Sequence, residues 1–274
     1  MSVCRLKGLK MRLSGKKILL TGANGGLGRA IAEKALAEGA QVALCEKTSE
    51  LAASAKGALP DAANASTVAG DLTDEKAVQN MVGEAITQLG GLDGVVNNAA
   101  MLADNDAMPA DTPLDDWQAT LDVNLTGAFL VYKHALPHLI KQQSGSLVTM
   151  SSVVAHSASA VPQIAYTASK GGLEAMTREI AIAHARDNIR ANCVAPGPVL
   201  TDRTARYFDS DEKWQARRKH IPMGRLGRAD EIAALVCFLL SDEAGWQTGG
   251  VYRADGGISA AYLVDDSKGG NKTP

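Results

Sequence analysis

No stretch of the 274-residue chain approaches the eighteen or so consecutive apolar residues that a membrane-spanning helix requires, so no span and no membrane partner are expected. Neither charge dominates: 28 Lys and Arg stand against 30 Asp and Glu, which gives no electrostatic reason to expect nucleic acid. Cysteine is scarce. The four residues, Cys4, Cys45, Cys193 and Cys237, show no C-x-x-C spacing, which argues against a metal site or a disulfide framework and suits the reducing cytoplasm. There is no internal repeat, and no Pro-, Gly- or Ser-rich linker marks a second domain. The first seventeen residues hold six basic side chains and no acidic one but lack the apolar centre of a signal peptide, so residues 1–14 are expected to form a flexible leader. The polar, glycine-rich end makes 261–274 an expected flexible tail.

What is present is an apolar fraction of 46%, enough for a full core, arranged in a regular alternation. Short β-rich runs (KKILLTG, AQVALCE, STVAGD, DGVVNNA, GSLVTMSS, RANCVAPG and GGVYRADGG) are separated by segments of helical period. One helix starts at Leu27 and stops at Gly39. Another starts near Thr73 and lines up Val78, Met81, Val82, Ile86 and Leu89, and a third opens with Thr112 as cap and Pro113 in its first turn. Unbroken alternation predicts an α/β fold: a single doubly wound Rossmann-type domain over 15–260, its central parallel sheet covered by helices on both faces.

The first strand runs directly into TGANGGLG, residues 21–28, and then into a helix. Gly22 permits a tight turn, Gly26 lets the backbone approach a diphosphate, and Gly28 allows helix to pack on strand, while the helix N-terminus offers free amides. Glu46 ends the second strand, where a carboxylate accepts from the adenine-ribose hydroxyls and repels a 2′-phosphate; the expected cofactor is NAD rather than NADP. Lys47 beside it is a cation that could turn toward such a phosphate. Asp71 either bonds the adenine amino group or serves the turn before the next helix. Asn97, after the fourth strand, lies where such sheets bind ligands or else holds its own turn.

With TGANGGLG, NNA, the Ser151–Ser152 pair, YTASK and APGPV in order, the chain resembles the short-chain dehydrogenase/reductase family from about Lys16 to Gly257. DVNLTG, IPMGRLGRADEIA and TGGVYRADGG add to the likeness. The resemblance implies a catalytic set of Asn124, Ser152, Tyr166 and Lys170. It implies cofactor contacts at Gly22, Asn24, Gly26, Leu27, Gly28, Glu46, Asp71, Leu72, Asn98, Ala99, Tyr166, Lys170, Pro196, Gly197, Val199 and Thr201, with Thr201 holding the nicotinamide carboxamide. A homotetramer is implied as well, and the girdle of AFLVYKHALPHLI is apolar enough for burial on more than one side. Two features depart from the family pattern. Ala100 stands where a glycine is usual, and Ser152 lies fourteen residues before Tyr166, one more than the commoner spacing. Ser151, Ser157 and Ser159 fit the strand end less well than Ser152.

Oxidising a secondary alcohol requires a base for the hydroxyl proton, and a free tyrosine is ionised only about one part in a thousand at pH 7. On a helix, Tyr166 and Lys170 are one turn apart on one face, so the ammonium can stabilise the phenolate and reach the nicotinamide ribose. Ser152 would bond the substrate oxygen, and Asn124, by family likeness, would hold a water that relays the proton from Lys170. Residues 198–222 match the family's substrate lid. Tyr207, Phe208 and Trp214 in it either close over a ring or short apolar chain, or belong to an amphipathic surface helix pair. Met101, His156, Ser157 and Gln163 are expected to face the pocket, and no metal is expected. The reading is an NAD-dependent oxidoreductase interconverting a secondary alcohol, such as a cyclic alcohol, diol or sugar, and a ketone. Its alternatives are an NADPH-dependent 3-oxoacyl thioester reductase and a non-catalytic cofactor-sensing protein.

Overall fold

The computed structural model describes residues 11–159, 161–205, 208 and 210–262. Along these, strand and helix alternate as β1 (Lys17–Thr21), α1 (Gly26–Ala37), β2 (Gln41–Glu46), α2 (Ser49–Gly57), β3 (Ala65–Ala69), α3 (Glu75–Leu89), β4 (Gly94–Asn97), α4 (Leu114–Leu121), α5 (Gly127–Gln142), β5 (Gly145–Met150), α6 (Ile164–Ala183), β6 (Ile189–Pro196), β7 (Val199–Leu200), α7 (Asp202–Ala205), α8 (Asp211–Arg218), β8 (Gly227–Arg228), α9 (Ala229–Leu240) and β9 (Val251–Ala254). Seven strands form one parallel sheet in the order β3-β2-β1-β4-β5-β6-β9. Strand order runs outward from β1 to β3 on one side and from β4 to β9 on the other. The reversal between β1 and β4 leaves a crevice at the carboxyl ends of the strands, and that is where ligands bind in such sheets.

The inner strands β1, β2 and β4 are buried on both sides because each face is covered. Ile18 and Leu20 of β1, Val96 of β4 and Val148 of β5 join the core under α1 and α9. Their neighbours Leu19, Val95 and Leu147 join the core under α3 and α5. Helix α3 shows how local chemistry sets an element. The Asp74 carboxylate accepts from the amides of Lys76 (2.8 Å) and Ala77 (3.2 Å), the spacing buries Val78, Met81, Val82, Ala85 and Leu89, and left-handed Gly90 (φ 68°) ends it. The start expected near Thr73 therefore falls at Glu75. In the third helix the expected cap is displaced as well. Thr112 turns its hydroxyl to Met108 O and accepts from Ala107 N, and α4 begins at Leu114 with Pro113 in the cap position.

The expected leader over 1–14 is too long, because residues 11–14 dock on the domain. Leu13 is fully buried in the core, its amide donates to Glu38 O, and Arg12 forms a two-pronged bond to the Glu38 carboxylate at 2.6 and 2.8 Å. Arg12 and the neighbouring Lys34 hold the Glu38 carboxyl below its usual pKa against the opposing effect of burial. Truncating Leu13 to Ala is expected to destabilise the fold by about 2–5 kcal/mol, as a large-to-small core change does. Urea unfolding measures this; a shift in midpoint equivalent to less than about 1 kcal/mol would mean that the segment packs loosely.

Candidate active site

The crevice at the switch point opens into one cavity of about 1280 Å³. Its cofactor end is built on the turn from β1 into α1. Gly22 has φ +67°, and its amide donates to Cys45 O at the end of β2, which seats the turn between two strands. A Cβ on Gly28 would lie 2.0 Å from Gly22 O, so only glycine lets α1 start this close to the strand. At Gly26 a Cβ would meet the Thr201 side chain at 2.7 Å, so part of this glycine's role is to admit the base of the lid segment. Helix α1 has Gly25 at its cap position with no side-chain cap and no acidic residue in its first turn. Its leading amides and its positive end face the cavity, the arrangement that suits a diphosphate.

Asn98 secures this turn from β4. Its side-chain amide donates to Thr21 O (3.1 Å) and Gly22 O (2.9 Å), and the backbone amides of Asn98 and Ala99 donate to the Thr21 hydroxyl. The next subsite is an acid-rich rim. Glu46 accepts from the Asn24 amide at 2.6 Å, which fixes its carboxylate against the glycine turn. Lys47 pairs with Asp71 at 2.8 Å, and the other Asp71 oxygen accepts from both the amide and the hydroxyl of Thr73. These partners, Lys47 foremost, hold the Asp71 carboxyl down at about 2. Asp71 thus does the turn-forming work that was one of its two readings. Thr201 bonds the Thr204 hydroxyl at 3.0 Å and starts α7.

The other end is assembled from β5 and α6, with Val123 of a π-helical insertion on the wall; Asn124, expected in the catalytic set, does not itself line the cavity. Lys170 is 2% exposed; its Nζ donates to Met150 O at 2.8 Å and stands 5.3 Å from the centre of the Tyr166 ring. Tyr166, Ser152 and Lys170 all line the cavity. Ser151 and Ser152 both line the cavity, but the Ser151 hydroxyl is engaged by the buried Glu174, to which it donates at 2.7 Å. A short turn over Val153–Ala155 lies in the long step between Ser152 and Tyr166, and both residues line the same cavity. Asn124 sits in the middle of the π-helical segment Asp122–Thr126 between α4 and α5, a local widening common at functional sites. Its side chain accepts from Met101 N (2.8 Å) and donates to Met101 O (2.9 Å) and to Ser169 Oγ (3.1 Å), so it acts as a clamp between the loop after β4 and α6.

Several expected site residues lie elsewhere. Met101 does not line the cavity; its amide and carbonyl are both bonded by the Asn124 side chain. His156 does not line it either; its Nδ1 faces Glu174 at 3.7 Å. Trp214 packs edge-on against Phe208, with centroids 6.4 Å apart, and only Phe208 of the pair meets the cavity. Tyr207 lies outside the described residues. Asn97 is buried on the sheet side, its Oδ1 accepting from the Thr21 hydroxyl, and is a core residue. The remaining expected cofactor contacts, among them Leu27, Leu72, Pro196, Gly197 and Val199, line the cavity, as do Gln163 and Ser157. Residues that sequence reasoning did not single out, Leu102, Asp106, Val154 and His220, line it too. No group of His, Cys, Asp and Glu suited to a metal exists among the described residues.

The family model described as enoyl-(acyl carrier protein) reductase matches residues 22–259 of this chain. A 3-oxoacyl-(acyl-carrier-protein) reductase FabG of Aquifex aeolicus is 37% identical over 91% of this chain and 100% of its own length. Glucose 1-dehydrogenase 2 of Bacillus subtilis is 34% identical over 90% of this chain and 96% of its own. The crystal structure of levodione reductase superposes with a TM-score of 0.83 at 33% identity, covering 91% of this chain and 99% of that one. A short-chain type dehydrogenase/reductase from Mycobacterium marinum gives 0.85 at 30% identity, over 92% and 98%. The chain belongs to the short-chain dehydrogenase/reductase family. It is an oxidoreductase fold with a nicotinamide-cofactor crevice, and no helix among its described residues is long and apolar enough to cross a membrane. Within this dehydrogenase/reductase frame, Ala100 in place of the usual glycine is tolerated in the cavity wall.

Proposed function

We propose that the protein is an NAD-dependent dehydrogenase that interconverts a secondary alcohol and a ketone, with Tyr166 as acid and base. The observation that carries this reading is the buried Lys170 ammonium 5.3 Å from the Tyr166 ring, with Ser152 on the same cavity wall. The glycine turn would hold the diphosphate of a nicotinamide cofactor, and Asn98, the Pro196–Val199 backbone and Thr201 would hold its nicotinamide half, which would supply the hydride acceptor or donor. The chain's own residues handle the proton. In the oxidising direction the substrate hydroxyl donates to Tyr166 Oη and is steadied by Ser152 Oγ; in reduction the phenol returns the proton. Lowering a phenol pKa by about three units takes roughly 4 kcal/mol of preferential stabilisation of the phenolate, within reach of an ammonium in a site shielded from water. Asn124 contributes by holding the Met101 backbone and Ser169, and so the wall beside the tyrosine.

NAD is favoured over NADP by the fixed Glu46 carboxylate at the adenosine end and by the pairing of Lys47 with Asp71. A 2′-phosphate would meet Glu46 directly, and like charges in contact across an interface cost several kcal/mol. With NAD and NADP tested against cyclohexane-1,2-diol, glucose, a hydroxysteroid and a 3-hydroxybutyryl thioester, the expected result is turnover with NAD. Glu46→Ala is expected to raise the NADP-to-NAD ratio of kcat/KM by about tenfold or more. The relatives that reduce 3-oxoacyl-acyl-carrier-protein supply a second reading, a reductase of acyl thioesters. NADPH-dependent reduction of 3-oxobutyryl thioester exceeding every NAD reaction would establish that reading in place of the first. Assembly as a homotetramer belongs to the same proposal, with Phe129 of α5 and Ile182 of α6 exposed on the helices that would meet.

A further inference from the structure

Tyr166 stands in the first turn of α6, where a helix has no internal partners for its amides and frays most easily. The local sequence does nothing to prevent this: Gln163 at the cap position makes no side-chain cap bond. The missing acceptors come from a loop some sixty residues earlier in the chain. Both oxygens of the Asp106 carboxylate are engaged, Oδ1 by the amide of Ala165 at 3.0 Å and Oδ2 by the amide of Tyr166 itself at 2.9 Å. The adjacent Ala107 carbonyl takes the Ile164 amide at 3.2 Å, so the three leading amides of the helix are all held by residues 106 and 107. The other end of the same residue is held as well. Ser169 Oγ donates to Tyr166 O at 2.7 Å and accepts from Asn124 Nδ2 at 3.1 Å, and Asn124 grips the Met101 backbone from both sides.

We propose that Asp106 is a positioning residue for Tyr166: it caps α6 from the loop after β4 and fixes the main chain from which the phenol projects. The role rests on the reading of Tyr166 as the acid and base. A carboxylate at a helix N-terminus is also favoured by the helix dipole, and this one does its capping from the wall of the active-site cavity. The loop that forms one side of the substrate space therefore also sets the tyrosine, so that a change in the loop reaches the phenol through one side chain. Placement of this kind matters because reactivity falls steeply with small errors in the position of a reacting group.

The test uses the full chain as wild type, Asp106→Ala, Asp106→Asn, Asp106→Ser and Tyr166→Phe. Amide hydrogen exchange over residues 164–167 is measured, together with kcat and both KM values for the best-oxidised alcohol of the panel above. Asp106→Ala is expected to speed exchange at Ala165 and Tyr166 by about tenfold and to lower kcat by about tenfold, with the KM for NAD unchanged. Asn and Ser, which keep an oxygen acceptor, are expected to recover kcat to within about threefold of wild type, and they carry the test if the alanine variant does not fold. Unchanged exchange in the alanine variant would overturn the proposal. So would an unchanged kcat in Asp106→Ala beside an inactive Tyr166→Phe, or a fall in kcat matched by an equal weakening of NAD binding and not recovered by Asn or Ser. If Tyr166→Phe turns over as well as wild type, or if no alcohol is oxidised, the reading of Tyr166 fails on its own count and the positioning role falls with it.

Discussion

Tyr166→Phe is expected to lower kcat by about a thousandfold or more while leaving the affinity for NADH and the unfolding midpoint almost unchanged. The substitution removes one oxygen and no ring carbon, so packing in the first turn of α6 is preserved and the amides of residues 164–166 keep their acceptors on residues 106 and 107. What is lost is the group proposed to exchange a proton with the substrate oxygen, and positioned acid–base groups contribute about 10²–10⁴ in rate, or roughly 3–5 kcal/mol of barrier. A second tyrosine supplies the control. Tyr132 is buried, bonds the Thr149 hydroxyl at 2.6 Å, and has its pKa pushed up by burial against the opposing bonds of Thr149 and Asn97. Tyr132→Phe is expected to cost about 1 kcal/mol of stability and nothing in kcat. Steady-state rates, a fluorescence titration with NADH and urea unfolding read kcat, cofactor affinity and stability in both variants. Residual activity within tenfold of wild type in Tyr166→Phe would assign the proton transfer to another group.

The contrast between the two tyrosines also marks how far sequence reasoning reaches. Lys170 is one helical turn from Tyr166, so a periodicity argument could place them together; the fold and the glycine turn were legible for the same reason, since each follows from spacing within a contiguous segment. The alternation of strand and helix yields the sheet because the central runs β1, β2 and β4 are apolar on two sides, and the element ends miss by only a residue or two where Asp74 and Pro113, not Thr73 and Thr112, hold the cap positions. Contacts between distant segments were not legible. Nothing near Asp106 signals that it will cap a helix starting at Ile164, and Gln163 gives no hint that its own helix needs a cap from elsewhere. Closeness in sequence to the site residues suggests Met101 and His156 for the pocket, yet neither lines it; the Met101 backbone is bonded by Asn124, and His156 faces Glu174, contacts with other elements that the sequence does not announce. Leu13 failed in the opposite sense: a basic, polar neighbourhood concealed one residue that the core takes in completely.

Replacing glycine by alanine inside a helix should act in opposite directions at two sites of this chain, and the difference isolates what the cofactor turn demands. By intrinsic preference alone the change stabilises a helix by about 1 kcal/mol. At Gly83, on the exposed side of α3, an added Cβ meets nothing within 4 Å, so Gly83→Ala is expected to deliver a gain of about 0.5–1 kcal/mol. At Gly28 the same carbon would lie 2.0 Å from Gly22 O and 2.9 Å from Asn98 Nδ2. Neither neighbour can retreat at low cost. The Gly22 carbonyl accepts from Asn98, and the Gly22 amide is tied to β2, so relief requires α1 to move off the sheet or the turn to open. Overpacking of this kind costs about 1–3 kcal/mol and more where backbone is the obstacle, which outweighs the helix preference. Because the turn that would open is the one whose amides face the diphosphate, NADH affinity is expected to fall by about a hundredfold in Gly28→Ala and not at all in Gly83→Ala. Urea midpoints and NADH titrations of the two variants provide the comparison. A Gly28→Ala protein that binds NADH like wild type would show that α1 can shift without disturbing the turn, and would remove the turn's geometry as the basis of cofactor binding.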